Sequence, residues 1–81
     1  MGRTSKRLPA QTELGRRVRE RRLELGLSQM ALSEVIGLHF TFVSSVERGE
    51  RNLSLKSLLK LAEGLTVNPA DLVDGLNSAE N

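Results

Sequence analysis

The stretch SQMALSEVIGLHFTFVSSVERGER, residues 28–51, decides the fold of this chain. Ser28 is placed to cap a short helix by accepting from the exposed backbone N–H groups of its first turn. A leucine and an isoleucine four residues apart share the inner face of that helix, and Gly37 ends it. Only two residues follow Gly37 before the apolar spacing resumes. The stretch therefore predicts a second helix, over residues 40–48, joined to the first by a tight turn.

The segments on either side of this pair predict three further helices. The first helix of the chain begins between residues 9 and 13 and ends at Gly26. The fourth follows a serine cap over residues 55–65, and the fifth runs over residues 69–76 from an Asn-Pro start signal. The sequence shows no strand-like alternation, so the predicted fold is all-α, a compact five-helix bundle.

The 81 residues predict one folded domain, residues 10–76. They are flanked by a flexible basic arm, residues 1–9, and a frayed C-terminus, residues 77–81. Apolar residues make up 38% of the chain, which suffices for one core but leaves little margin, so pairing with a second subunit would help.

Several classes of function are disfavoured by composition. The chain has no cysteine and one histidine, which excludes the usual zinc sites, and we expect no cofactor or metal. It has no glycine-rich phosphate loop and no nucleophile with a histidine–carboxylate pair, so we expect no enzymatic activity and no small-molecule ligand. No apolar run approaches the ~18 residues of a membrane span, and no apolar stretch follows the basic N-terminus. We therefore expect a cytoplasmic protein without membrane contact.

The charge of the chain is distributed unevenly. Residues 1–22 hold eight basic and two acidic residues, whereas the rest of the chain holds four basic and eight acidic ones. Such a one-sided field is consistent with a polyanionic partner, and equally with a solvated helix face and a solubilising tail. Four arginines of the first helix, Arg16, Arg17, Arg19 and Arg21, point in several directions and are expected to be mostly solvated.

The third helix has the pattern of a helix that enters a DNA groove. Val43 and Val46 share its inner face. A projecting helix with hydrogen-bonding outer side chains fits the major groove, although the same geometry occurs in proteins that do not bind DNA. The outer positions are His39, Phe40, Thr41, Ser44 and Ser45.

From Leu14 to Val73 the sequence resembles the Cro/CI-type (XRE) family of helix-turn-helix regulators. The matching pieces are Gly26-Leu27-Ser28-Gln29, Leu32, Gly37, the run VERGERN at 46–52, Ser54-Leu55 and Leu61-Ala62. The run ERGERNLSLKSL after GLHFTFVS is also similar to the controller proteins of restriction–modification systems. The resemblance implies a lambda-repressor-like DNA-binding fold.

The same resemblance implies roles for individual residues. It places Phe40, Thr41, Ser44 and Ser45 at base-reading positions. It places Gln29, His39, Arg48, Arg51, Asn52 and Lys56 at phosphate-binding positions, with solvated charge as the alternative for the cations. Glu47, in the last turn of a helix, is opposed by the helix dipole and needs a partner, which the resemblance identifies as Arg22. The arm residues Arg3, Lys6 and Arg7 either contact DNA or belong to a mobile tail.

Phe40 departs from the family pattern, which usually has a polar or basic residue there. Its ring either packs on thymine methyl groups or folds back against the second helix, and we favour the first. Phe42 is expected to pack beside the core or against the sugar-phosphate backbone.

A homodimer is expected because one recognition helix reads only ~4–5 base pairs, and proteins with this motif commonly pair on palindromes. Surplus apolar residues of the last two helices form the predicted interface, with completion of the monomer core as the alternative: Leu59, Leu65, Val67, Leu72, Val73 and Leu76.

The predicted function is a sequence-specific transcriptional regulator that binds a palindromic operator in double-stranded DNA as a homodimer. Two alternatives stay open. One is an antitoxin-type DNA-binding protein that also binds a partner protein. The other is a helical protein–protein adaptor that kept this fold and lost DNA binding.

Overall fold

The computed structural model describes residues 9–79, in which all regular secondary structure is helical. The predicted all-α fold is confirmed. The helices are α1 (Ala10–Glu24), α2 (Gln29–Ile36), α3 (Phe40–Glu47), α4 (Leu55–Leu65), α5 (Pro69–Val73) and α6 (Leu76–Ala79). The domain boundaries stay a prediction, and the arm residues Arg3, Lys6 and Arg7 lie outside the described residues.

Helix ends are set by local sequence signals. The hydroxyl of Ser28 accepts from the N–H of Ala31 at 3.0 Å, and that of Ser54 accepts from the N–H of Ser57 at 3.1 Å. Asn68 and Asp71 form a capping box at the start of α5. The fifth helix is shorter than predicted: it ends at Val73, and a separate helical turn, α6, follows.

One core joins the first five helices. Ten buried apolar side chains form it: Leu14, Val18, Leu32, Ile36, Val43, Val46, Leu61, Ala62, Leu65 and Leu72. Every one of α1–α5 contributes to this cluster, and the two buried valines of α3 fix its orientation against α1 and α2.

Two residues assigned to the dimer interface lie in this core instead. Leu65 is 0% exposed and Leu72 is 2% exposed, so the prediction was wrong for both. The physical reason is that α5 folds back on α4 and α1, which covers the inner stripe of α4 within one subunit. Val67 and Leu76 are partly buried against the core, whereas Leu59 and Val73 remain exposed.

The arginines of α1 hold the end of the bundle together. Arg21 donates from Nε to the carbonyl oxygen of Leu65 at 2.9 Å, and Arg17 donates from Nη1 to that of Leu72 at 3.2 Å. Both carbonyls lie at helix C-termini, where a cation is favourable. Arg17 and Arg21 are therefore partly buried against α4 and α5, whereas Arg16 and Arg19 are exposed.

Glu13 is the acidic partner within α1. Its carboxylate accepts from Arg16 Nη2 at 2.6 Å and from Arg17 Nε at 3.0 Å. The hydrogen bond from Arg16, followed by that from Arg17, lowers the pKa of Glu13 to about 2. Much of the basic charge of α1 is thus paired inside the subunit.

Candidate nucleic-acid interface

The turn between α2 and α3 is tight and closed by backbone hydrogen bonds. Gly37 adopts φ +73°, a left-handed conformation that favours glycine, and its N–H donates to the carbonyl of Ser33 at 2.9 Å. Leu38 donates to the same carbonyl at 3.1 Å. The backbone leaves this turn at His39 and begins α3 at once, so α2 and α3 form one compact unit.

The two faces of α3 differ as predicted. Val43 and Val46 are buried in the core, while Thr41 is exposed and Phe40 is 39% exposed. The Phe40 ring lies beside the imidazole of His39, with the ring centroids 5.9 Å apart. An aromatic surface therefore lies at the N-terminal end of the outer face of α3.

His39 caps the start of α3. Its Nδ1 accepts from the N–H of Thr41 at 3.1 Å and lies 2.9 Å from the Thr41 hydroxyl oxygen. The imidazole Nε2 is not part of this cap. The predicted phosphate contact of His39 is therefore compatible with its capping role only through Nε2.

The two serines on the outer face of α3 bind arginines that follow the helix. Ser44 accepts a hydrogen bond from Arg48 Nη1, and Ser45 accepts one from Arg51 Nε at 2.8 Å. Ser45 also donates to the carbonyl of Phe42 at 2.9 Å. Both hydroxyls predicted to read bases are thus engaged within the subunit.

Two other predicted phosphate-binding side chains, those of Asn52 and Gln29, are also held in place. Asn52 accepts from Gln11 Nε2 at 2.6 Å, which ties the segment after α3 to the start of α1. Gln29, at the start of α2, donates to Glu47 Oε1 at 3.0 Å. Lys56 is exposed in the first turn of α4. Gln11 was not identified from the sequence, because only the folded chain brings it beside Asn52.

The ion pair between Arg22 and Glu47 is present and bidentate. Arg22 Nε lies 2.6 Å from Glu47 Oε2, and Nη2 lies 2.9 Å from Oε1. The two side chains are only 9% and 4% exposed. Arg22 also donates to the carbonyl of Leu27 at 2.9 Å. The hydrogen bond to Glu47 raises the pKa of Arg22 above its ordinary value.

This pair connects three elements. Arg22 lies in the last turn of α1, Glu47 ends α3, and Gln29 begins α2. A fork-shaped guanidinium bound to a carboxylate fixes both distance and orientation. The network therefore holds α3 against the rest of the bundle and leaves its opposite face outward.

The helix-turn-helix family model matches residues 18–72. This chain belongs to the helix-turn-helix family. The match spans α2, the turn and α3 together with most of the helices that support them. In this helix-turn-helix protein α3 occupies the position of the second, outward-facing helix.

Known helix-turn-helix proteins include similar chains. Control protein C.BamHI of Bacillus amyloliquefaciens is 43% identical over 61 residues, which cover 74% of this chain and 75% of that protein. The restriction–modification controller C.AhdI from Aeromonas hydrophila is 45% identical in sequence, and its crystal structure matches this fold with a TM-score of 0.74. The match covers 76% of this chain and 94% of that one.

A third similar protein is the restriction–modification controller C.Esp1396I, whose crystal structure is that of a tetramer in complex with its natural 35-base-pair operator. It is 30% identical, with a TM-score of 0.73, and the match covers 86% of this chain and 92% of that one. The resemblance to controller proteins found in the sequence is confirmed by these matches.

Within residues 9–79, no helix is both long and apolar enough to cross a membrane. The same part of the chain contains no group of three or more histidine, cysteine, aspartate or glutamate side chains placed to hold a metal ion.

Proposed function

We propose that this chain is a sequence-specific transcriptional regulator that binds a palindromic operator in double-stranded DNA as a homodimer. The observation that carries the proposal is α3: its inner face is buried in the core, and its outer face presents hydroxyl and aromatic groups between flanking cations. It acts by binding alone, without catalysis, and we place it in the cytoplasm.

The base-reading role falls first on the N-terminal half of α3. Phe40 offers ring carbons to a thymine methyl group, and the Thr41 hydroxyl bonds a base edge. Ser44 uses its hydroxyl as an acceptor for Arg48, so its hydrogen is available to a base acceptor. Ser45 already donates to Phe42 and accepts from Arg51, so we give base reading to Phe40, Thr41 and Ser44.

The phosphate-binding role surrounds this face. Arg51, in the segment between α3 and α4, and Lys56, in the first turn of α4, supply positive charge. Arg48 supplies it at the end of α3. Arg48 pairs with Glu50 at 3.0 Å, so it is partly neutralised before DNA arrives. Gln29, His39 and Asn52 add polar contacts that set the register of the protein on the duplex.

The dimer forms across α4 and α5. Leu55 and Leu59 lie four residues apart on α4, 69% and 47% exposed, and Val73 at the end of α5 is 38% exposed. Val67 and Leu76, which are partly buried against the core, complete the proposed interface. A twofold interface uses the same patch on both subunits, which would bury these side chains and place two copies of α3 on one side of the assembly.

A salt titration tests DNA binding by this chain. The logarithm of the association constant should fall linearly with the logarithm of salt concentration, with a slope of about −0.9 per phosphate contact. Arg51→Ala should weaken binding to all duplexes alike and flatten the slope by about one. The measurement is fluorescence anisotropy with a labelled random duplex at several salt concentrations.

Lys60→Ala is the matched control for the loss of one positive charge. Lys60 lines the cleft between α2 and α4, which contains no residue of α3, so this substitution should leave affinity and slope unchanged. A wild-type chain that shows no salt-dependent binding would favour the adaptor alternative and contradict the proposal.

A further inference from the structure

The guanidinium of Arg51 is held at the edge of α3 by two side chains of that helix. Its Nε donates to Ser45 Oγ at 2.8 Å, and its Cζ lies 5.2 Å from the centroid of the Phe42 ring. A cation within about 6 Å of an aromatic ring face is attracted by the ring quadrupole. We call Phe42, Ser45 and Arg51 together the arginine platform.

The platform is anchored to the core rather than to other surface side chains. The Phe42 ring is half-buried and packs against the core cluster. The hydroxyl of Ser45 donates to the Phe42 carbonyl at 2.9 Å, which directs its lone pairs outward to Arg51. Both supports of the guanidinium are therefore fixed before any ligand binds, although Arg51 itself is exposed.

Arg51 differs from Arg48 in the partner that holds it. Arg48 forms an ion pair with Glu50, whereas no carboxylate among residues 9–79 lies within salt-bridge distance of Arg51. A ring face and a hydroxyl orient a guanidinium without neutralising it, unlike a carboxylate. The platform thus presents an oriented arginine with its full positive charge.

We propose that Phe42 and Ser45 are positioning residues, which hold Arg51 ready for a DNA phosphate and do not themselves select the base sequence. This inference rests on the proposed function. An arginine that is already oriented loses less side-chain freedom when it binds, so the affinity for DNA rises by the same factor whatever the base sequence. Phe42 then acts on DNA through Arg51 and not by touching the duplex.

A double-mutant cycle in the full chain tests this role. The variants are Phe42→Leu, Arg51→Ala and the two combined, with anisotropy measured on one random duplex and one duplex obtained by binding-site selection. Phe42→Leu alone should weaken binding to both duplexes about threefold, and in the Arg51→Ala background it should change affinity by less than about 1.5-fold. Phe42→Tyr keeps the ring face and should keep wild-type affinity.

Ser45→Ala is the second variant, which keeps the cycle informative if Phe42→Leu unfolds the chain. Ser45→Ala should also weaken binding to both duplexes to a similar degree, and only when Arg51 is present. Equal losses with and without Arg51 would overturn the inference, because they would show that Phe42 or Ser45 acts on DNA directly or through the fold. A wild-type chain that binds neither duplex would instead be a failure of the proposed function.

Discussion

Glu47→Ala is expected to lower the free energy of unfolding by about 3–5 kcal/mol. The substitution removes the carboxylate that binds Arg22 in a fork and also accepts from Gln29. It leaves the Arg22 guanidinium, whose side chain is 9% exposed, without an opposite charge. A buried charge without a partner costs far more than the pair contributed, so this effect should be the largest of any single polar substitution described above.

Urea unfolding followed by circular dichroism measures this loss. Glu50→Ala is the matched control, since it removes an acidic partner of the exposed Arg48 and should change stability by no more than about 0.5–1 kcal/mol. Similar small losses for Glu47→Ala and Glu50→Ala would mean that the Arg22–Glu47 pair is solvated, and that it does not hold α3 in place.

Gly15→Ala is expected to destabilise the fold by about 1–3 kcal/mol. A Cβ at this position would lie 2.3 Å from the carbonyl oxygen of Val46 and 2.8 Å from that of Glu47. Because both are backbone atoms, α1 and α3 must move apart. Alanine is favoured over glycine within a helix by about 1 kcal/mol, so a net loss would isolate the effect of close packing.

The same displacement should weaken DNA binding, because it moves α3, with the arginines bound to it, relative to Lys56 on α4. Gly64→Ala gives the comparison: the added methyl would meet side-chain carbons of Ile36 and Leu32 rather than backbone. Gly64 lies on α4 where that helix faces α2, so Gly64→Ala should affect stability with little change in the DNA sequence that the protein binds. A Gly15→Ala protein as stable as wild type would contradict the close contact of α1 with α3.

Local signals in the sequence account for most of the helices. Ser28, Ser54 and Asn68 each cap the helix that they were predicted to begin, because capping involves only residues two or three positions away. The inner positions of α3 were also predictable, since helical spacing alone places Val43 and Val46 together.

Local spacing did not predict contacts between helices, and the Arg22–Glu47 pair was predicted only through the family resemblance. Apolar spacing marks Leu65 and Leu72 as buried but does not say whether by the same subunit or by a second one. Likewise nothing in the spacing of Arg17 and Arg21 reveals the carbonyl groups of α4 and α5 that they reach. The contact of Arg51 with Phe42 has the same origin, because an irregular segment brings the cation back to the helix.

Selection of binding sites from randomised duplexes tests the central role of α3 most directly. If two copies of α3 enter successive major grooves, the enriched sequences should form an inverted repeat whose half-sites lie about 34 Å, or one helical turn, apart. Recovery of duplexes with no enriched sequence would contradict the assignment of α3 as a base-reading helix.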